Sequence, residues 1–85
     1  MEYRSFGNTG LHMPLITCGG MRFQYKWKDL KADQIPEDVQ IKLESAMWHA
    51  LECGVNHFET ARGYGSSEVQ MGMVLPKMNR DQILV

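Results

Sequence analysis

The chain has 85 residues, 44% of them hydrophobic, a size and composition that allow one small globular domain with a modest core. Nine basic and ten acidic residues give a formal net charge of −1, which provides no overall field to attract nucleic acid or an anionic membrane. The first residues contain no apolar signal segment, and no stretch approaches the roughly 20 apolar residues that a membrane-spanning helix needs. These features predict a cytoplasmic protein with no nucleic-acid or membrane partner.

The cysteines and histidines give no clear metal signal. Cys18 and Cys53 are far apart and lack C-x-x-C spacing, so we expect buried thiols and neither a disulfide framework nor a zinc site. His49 and Cys53 have the i, i+4 spacing of a helical metal site, and His57 lies near them in sequence. With no fourth ligand and no tight motif, we interpret this set as incidental and expect no metal.

The amino-terminal residues indicate a β-hairpin over about residues 2–14. Two short strand-like runs, 3–6 and 11–13, flank Gly7-Asn8-Thr9-Gly10, whose residue types tolerate positive φ angles. The hairpin therefore has its turn at residues 7–10.

A buried strand and a long loop are predicted next. Residues 15–18 form a short, apolar, partly β-branched run that Gly19 and Gly20 close. No periodicity holds over residues 21–35, although this stretch contains Phe23, Tyr25 and Trp27. We expect a loop there, at the carboxyl end of the strand, that helps to wall a site.

The strongest local signals are those of a helix between Pro36 and Gly54. Proline is tolerated at a helix start, Glu37 and Asp38 place negative charge near the positive end of the helix dipole, and glycine terminates helices. Apolar residues recur at helical spacing between these ends, at Val39, Leu43, Ala46, Met47, Ala50 and Leu51. The pattern predicts an amphipathic helix of about four turns.

A second strand, a second helix and the start of a third strand follow. Residues 55–58 are typical of a short strand, and residues 60–66 of a polar turn. Ser67 and Gln70 resemble a capping box, after which apolar residues continue at helical spacing until Pro76. Residues 83–85 indicate the beginning of a third strand.

The order strand, helix, strand, helix, strand implies parallel strands joined by crossover helices, which are normally buried on both faces of a larger sheet or closed barrel. An eight-stranded α/β barrel takes about 250 residues. We therefore expect residues 1–85 to be a partial barrel, the amino-terminal portion of a (β/α)8 TIM barrel preceded by a hairpin. A small self-contained α/β domain is the alternative, and it would have to protect two sheet edges with very few residues.

The segment Phe58-Glu59-Thr60-Ala61-Arg62-Gly63-Tyr64-Gly65 resembles the aldo-keto reductases. That family shows an acidic residue, then Thr-Ala, then Tyr-Gly five residues after the acid, at the end of its second barrel strand. Residues 3–11 also resemble the family's amino-terminal hairpin, residues 17–22 the end of its first strand, and residues 65–68 the start of its second helix. Several collinear motifs are more specific together than any one of them.

The resemblance implies an NADP(H)- or NAD(H)-dependent oxidoreductase that reduces aldehydes or ketones, with a small-molecule carbonyl compound as its substrate. Hydride transfer to a carbonyl leaves an alkoxide that a positioned general acid must protonate. Tyr64 matches the family's catalytic tyrosine, and Glu59 occupies its carboxylate position, where aspartate is commoner. The pKa of tyrosine is ordinarily about 10, so a nearby cation is needed to lower it.

The remaining site residues also follow from the resemblance. In the family the cation is a lysine after the third strand, held by the acidic residue, and a histidine after the fourth strand orients the carbonyl. Both positions lie beyond Val85, so we expect these 85 residues alone to be inactive. Gly20, Met21 and Arg22 are assigned to cofactor binding together with Glu59. The motif is also similar to that of a subgroup with a carboxyl-terminal iron–sulfur segment, whose cluster ligands this chain does not contain.

Each candidate residue also has a purely structural interpretation. Tyr64 taken alone would most often be a half-buried loop tyrosine, and Glu59 a solvated or paired surface carboxylate. The alternative function is that of a non-catalytic protein on the same barrel, which binds a nicotinamide cofactor or has a regulatory role. A nucleic-acid-binding module is a third hypothesis. It would use Lys26, Trp27, Lys28 and Lys31, and it is opposed by the interspersed Asp29 and Asp33 and by the net charge.

Overall fold

A computed structural model describes all 85 residues and shows an α/β structure with two short sheets. Strands β1 (Tyr3–Ser5) and β2 (His12–Pro14) pair antiparallel. Strands β3 (Cys18–Gly19) and β4 (Phe58–Glu59) pair in parallel. The parallel pairing is the arrangement that a βαβ crossover requires.

Helical segments account for much of the remainder. The two α-helices are α1 (Glu37–Glu52) and α2 (Ser67–Gly72). Four single turns of 3-10 helix are also present, at Met21–Phe23, Ala32–Gln34, Leu75–Lys77 and Arg80–Gln82. No helix of the chain has the length and apolar character needed to cross a membrane.

The hairpin of β1 and β2 lies at the amino end of the parallel strands. Its turn contains Gly7 at φ +54° and Gly10 at φ +78°, angles that glycine adopts without strain. The Tyr3 phenol donates a 2.6 Å hydrogen bond to the carbonyl of Gly54, which ends α1 and leads into β4. The hairpin is therefore attached at the edge of the sheet opposite to the one where β3 and β4 end.

Helix α1 has the predicted ends and buries the predicted face. Pro36 immediately precedes its first residue, and Gly54 follows its end at φ +86°. Leu43 and Met47 are its two buried residues. They pack with β4, α2 and the following segments in one apolar cluster of Leu43, Met47, Phe58, Met71, Val74, Met78 and Ile83. This burial, favourable by about 25 cal/mol for each Å² of apolar surface, fixes both helices on one face of the sheet.

The other face of the parallel strands is polar. Phe58 is completely buried toward the helices, so its neighbours His57 and Glu59 point to the opposite face by the two-residue period of a strand. Thr17 lies on that face as well, because its hydroxyl is 2.8 Å from the imidazole nitrogen Nδ1 of His57. The sheet therefore presents a helix-covered apolar face and an uncovered polar one.

The parallel strands are shorter than predicted and shifted toward their carboxyl ends. A buried strand over residues 15–18 is wrong, because Leu15 and Ile16 are 56% and 61% exposed. The Leu15 N–H still bonds to the carbonyl of Glu2, so the hairpin holds this residue away from the sheet. Pairing with the next strand starts only where the Cys18 N–H donates to the carbonyl of His57.

The predicted capping box of α2 is also wrong. Ser67 is the first residue inside the helix, and its hydroxyl donates to the carbonyl of Gly20. The Gln70 side chain is fully buried and accepts from the N–H of Tyr25 at 2.7 Å. Both polar groups thus form long-range contacts with the loop after β3, because burial leaves them no water to bond and the loop supplies the partners.

The carboxyl-terminal residues lie beside β4, and the long loop lies at the carboxyl end of β3. Residues 83–85 form one parallel bridge, between His57 and Leu84, in place of a strand. The loop over residues 21–35 contains two of the 3-10 turns and is otherwise irregular. It lies at the carboxyl end of β3, away from the hairpin, since its residue Tyr25 bonds to Ser66 at the start of α2.

Candidate functional site

The candidate site lies at the carboxyl ends of β3 and β4. Gly20 directly follows β3, Glu59 is the last residue of β4, and Tyr64 is in the loop that leads to α2. The two strands are parallel and in register, so their ends meet at one edge of the sheet. The Gly20 N–H donates to the Glu59 carbonyl at 2.7 Å, which holds the two strand ends together.

The side chains of Tyr64 and Glu59 contact each other. The Tyr64 phenol donates to Glu59 Oε1 at 2.9 Å. A tight turn presents the phenol, since the Tyr64 N–H bonds to the carbonyl of Ala61 and the Tyr64 carbonyl accepts from the N–H of Ser67. The hydrogen bond to Glu59, and then the negative charge of that carboxylate, raise the pKa of Tyr64 above its ordinary value. This is opposite to the direction that an acid catalyst near neutral pH requires.

No cation of the chain counteracts that effect. No lysine or arginine side chain forms an ion pair with Glu59 or a hydrogen bond to Tyr64. Arg62, only two residues from Tyr64, is instead paired with Asp29, with its two terminal nitrogens 2.5 and 2.7 Å from the carboxylate oxygens. The proton between Tyr64 and Glu59 therefore stays on the phenol.

The two glycines at the end of β3 differ in what a side chain would meet there. A Cβ added at Gly20 would lie 2.6 Å from Ser67 Oγ, 2.7 Å from Met71 Sδ and 2.8 Å from the Glu59 carbonyl oxygen. Gly20 is thus required for the close approach of α2 to the sheet. A Cβ at Gly19 would meet only Glu59 Oε2, at 3.6 Å. Gly19, the last residue of β3, thus presents no side chain next to the carboxylate.

Met21 and Arg22 are placed differently from the other candidates. They begin the 3-10 turn after Gly20, where Met21 is half-buried and Arg22 is exposed. Arg22 lines a hollow between the long loop and α1 together with Lys42, and it forms no hydrogen bond with Glu59 or Tyr64. The structure therefore brings Gly20, Glu59 and Tyr64 together and leaves Arg22 apart.

Sequence reasoning missed the polar residues that support the site. The Thr60 hydroxyl lies 2.8 Å from Ser67 Oγ, and the Ser66 hydroxyl donates to Gln70 Oε1 at 2.7 Å. Ser66, Ser67 and Gln70 are all buried. Their one sequence signal was a Ser and a Gln three residues apart, which also fits a capping box, and only the long-range contact with residues 20–26 distinguishes the two roles.

The histidine and cysteine side chains do not converge. His49 Nε2 lies 3.7 Å from Cys53 Sγ on the exposed end of α1. His57 instead bonds to Thr17 on the polar face of the sheet. No group of three or more His, Cys, Asp or Glu side chains has the geometry to hold a metal ion. The expectation of buried thiols is wrong for Cys53, which is exposed at the end of α1. Cys18 is half-buried, and that burial raises the pKa of its thiol.

Comparison with known protein families identifies the chain. The model of the aldo/keto reductase family matches residues 15–85, a segment that begins just after the hairpin and includes every candidate site residue. No curated protein and no solved structure gives a significant match. Because the family match covers most of the sequence, the chain belongs to the aldo/keto reductase family of oxidoreductases.

Proposed function

We propose that this chain forms the amino-terminal part of a (β/α)8 barrel that reduces aldehydes or ketones to alcohols with a hydride from NADPH or NADH. Family membership, the parallel pairing of β3 with β4, and the hairpin at the opposite edge support this architecture. Closing the sheet into such a barrel takes about 250 residues in total, so more strands and helices must complete it. The uncovered polar face that carries Glu59 would then be the barrel interior.

The observation that carries the proposal is the 2.9 Å contact between Tyr64 and Glu59 at the carboxyl edge of the strands. Barrels of this type hold their active sites at that edge. Tyr64 would be the general acid that gives its phenolic proton to the developing alkoxide. Glu59 would hold a cation beside the phenol, since the phenolate left after proton transfer needs a positive neighbour.

The absence of a side chain at Gly19 would let a flat cofactor ring approach Glu59. Gly19 has no side chain there, and a Cβ would begin to fill the position 3.6 Å from Glu59 Oε2. The backbone of Gly20 and Met21 borders the same strand end. When bound, the nicotinamide cofactor supplies the hydride. Arg22 would contribute by its charge to a more distant anionic part of the cofactor, because its side chain faces a hollow against α1.

One observation favours a second function. The carboxylate of Glu59 raises the pKa of Tyr64, and no cation of the chain lowers it again. A phenol held in this way is a poor acid. This feature supports a non-catalytic function, in which the same barrel binds the nicotinamide cofactor and does not turn it over.

A chimera tests the two functions. Residues 1–85 replace the corresponding segment of an active reductase of the family, and NADPH oxidation is followed with a reactive aldehyde. We expect reduction by the chimera and none by the isolated chain, in which no cation reaches Tyr64. A folded chimera that binds NADPH and reduces nothing would favour the non-catalytic function.

A further inference from the structure

The turn that carries Tyr64 is attached to the long loop on both sides. Two residues before the tyrosine, Arg62 forms its bidentate ion pair with Asp29. Two residues after it, the Ser66 N–H donates to the carbonyl of Lys26 at 3.0 Å. Tyr64 therefore lies midway between two contacts with one short loop segment, residues 26–29.

The fit between this segment and the turn is close. Gly65 has φ +56°, and a Cβ there would lie 2.2 Å from the Lys26 carbonyl oxygen and 2.6 Å from Trp27 Cα. The segment is itself fixed, because the Tyr25 N–H bonds to Ser66 Oγ and to the buried Gln70 Oε1. The backbone of the loop thus rests directly on the backbone next to Tyr64.

The two attachments differ in exposure. Ser66 and Gln70 are buried, so their hydrogen bonds are costly to break. The Arg62 and Asp29 side chains are 74% and 69% exposed. An exposed ion pair contributes little to global stability, but a bidentate one restrains direction. The charge of Glu68 on α2 also acts on Arg62, so the arginine has a second carboxylate nearby.

We propose that Asp29 and Arg62 are positioning residues for Tyr64, whose ion pair holds the turn in the geometry in which the phenol reaches Glu59. Through this pair the conformation of the long loop controls the placement of the proton donor. The catalytic consequence rests on the proposed function, whereas the effect on the Tyr64–Glu59 contact does not. A displacement of about 1 Å at a reacting group can cost about a hundredfold in rate, so even a weak restraint matters at this position.

The first test measures the Tyr64 titration in the chain itself, by NMR of ring-labelled tyrosine, with Tyr64→Phe to assign the signal. The charged group that acts on this phenol is Glu59, and the carboxylates that act on Arg62 are Asp29 and Glu68. If the ion pair positions Tyr64, Arg62→Gln loosens the turn, weakens the contact with Glu59, and lowers the pKa of Tyr64 toward about 10. If Arg62 acts only by its charge, the same variant removes a cation and raises that pKa, which would overturn the proposal.

Further variants complete this test. Asp29→Asn should lower the pKa of Tyr64 as well, and exchange of the two charges, Asp29→Arg with Arg62→Asp, should restore it. The matched control is Glu44→Gln, which breaks another ion pair, 2.8 Å between Glu44 on α1 and Lys77, that involves neither the long loop nor the turn that carries Tyr64. An unchanged Tyr64 titration in both Arg62→Gln and Asp29→Asn would refute a positioning role. If Arg62→Gln or Asp29→Asn unfolds, the Tyr64 titration in the charge-exchanged variant decides whether the ion pair positions Tyr64.

The second test uses the barrel chimera. Arg62→Gln should slow hydride transfer by about tenfold and leave the KM for NADPH unchanged, with partial rescue by Arg62→Lys. Glu44→Gln should keep the parent rate. If the chimera is inactive in every form, the proposed function fails while the titration in the chain still decides the role of the ion pair. An active chimera with equal rates for Arg62→Gln and Glu44→Gln would contradict the inference.

Discussion

The phenol of Tyr64 donates a 2.9 Å hydrogen bond to Glu59 Oε1, and the same carboxylate raises the pKa of that phenol. The two residues that the family motif assigns to proton transfer thus form a pair that stabilises the protonated tyrosine. A cation placed against Glu59 would neutralise the carboxylate and reverse the effect on the phenol. Binding of a cation at Glu59 would therefore be detected as a fall in the pKa of Tyr64.

The chain with Glu59→Gln should show a Tyr64 pKa that falls toward about 10, because the substitution removes both the charged acceptor and its field. The raised pKa of the folded state stabilises the native chain below the unfolded-state pKa, and this stabilisation is lost as the pH rises through the folded value. Wild type and Glu59→Gln should therefore differ in their loss of stability only above about pH 10. NMR of labelled tyrosine gives the titration. Glu68→Gln is the control, since Glu68 does not bond to Tyr64, and an equal effect of both variants would contradict the pairing.

Gly20→Ala should destabilise the chain by about 1–3 kcal/mol, the usual cost of overpacking. The added methyl would meet Ser67, Met71 and the Glu59 carbonyl at 2.8 Å or less. Gly19→Ala is the matched control and should change the free energy of unfolding by less than about 0.5 kcal/mol. Its added Cβ would lie 3.6 Å from Glu59 Oε2, an ordinary van der Waals distance. Denaturant unfolding measures both. Equal losses of stability would show that the close approach at Gly20 does not exist.

The stability of the chain should fall in acid through two ion-paired carboxylates, Asp29 and Glu44. Hydrogen bonding by Arg62 lowers the pKa of Asp29, and hydrogen bonding by Lys77 lowers that of Glu44. Because these pKa values are lower in the folded state than in the unfolded state, the ionised carboxylates stabilise the fold above the unfolded-state pKa of about 4. This stabilisation is lost as the pH falls through the folded-state pKa values. The double variant Asp29→Asn with Glu44→Gln should lose less stability between about pH 5 and pH 2. If the double variant and the wild type lost the same stability over this pH range, the two ion pairs would not be the cause of the acid destabilisation.

The sequence predicted the elements whose signals are local. Helix α1 is defined at both ends by Pro36 and Gly54 and buries Leu43 and Met47, as its periodicity indicates. The hairpin turn follows from two glycines at positive φ. Parallel strand order follows from the alternation of strand and helix patterns, without any knowledge of tertiary contacts.

The strand positions and the role of Ser67 could not be predicted in the same way. Residues 15 and 16 have the composition of a buried strand, but the hairpin holds Leu15 by a backbone bond to Glu2, and both side chains stay exposed. Ser67 has a capping pattern, but its hydroxyl donates a hydrogen bond to the carbonyl of Gly20. In each case a partner distant in sequence determines the structure.

In the candidate site, too, features with local signals could be predicted, and those that depend on distant residues could not. The spacing of Glu59 and Tyr64 is local, and the motif was sufficient to place both residues at one strand end. The ion pair of Arg62 with Asp29 joins positions 33 residues apart, and nothing in the pattern of either residue predicts the other. The raised pKa of Tyr64 likewise depends on which groups surround it in space, so composition could not give its direction.

Tyr64→Phe, tested in the barrel chimera, should slow hydride transfer by at least about a hundredfold. The substitution removes the phenolic proton donor and the bond to Glu59 while it keeps the ring, so NADPH affinity should stay nearly unchanged. Tyr25→Phe is the matched control, because the Tyr25 phenol forms no hydrogen bond and its ring, with Lys26 5.3 Å away, is retained. Single-turnover oxidation of NADPH with a reactive aldehyde separates the chemical step from product release. If Tyr64→Phe transfers hydride at the parent rate while Tyr25→Phe does the same, Tyr64 is not the acid, and the non-catalytic function becomes the better account of its raised pKa.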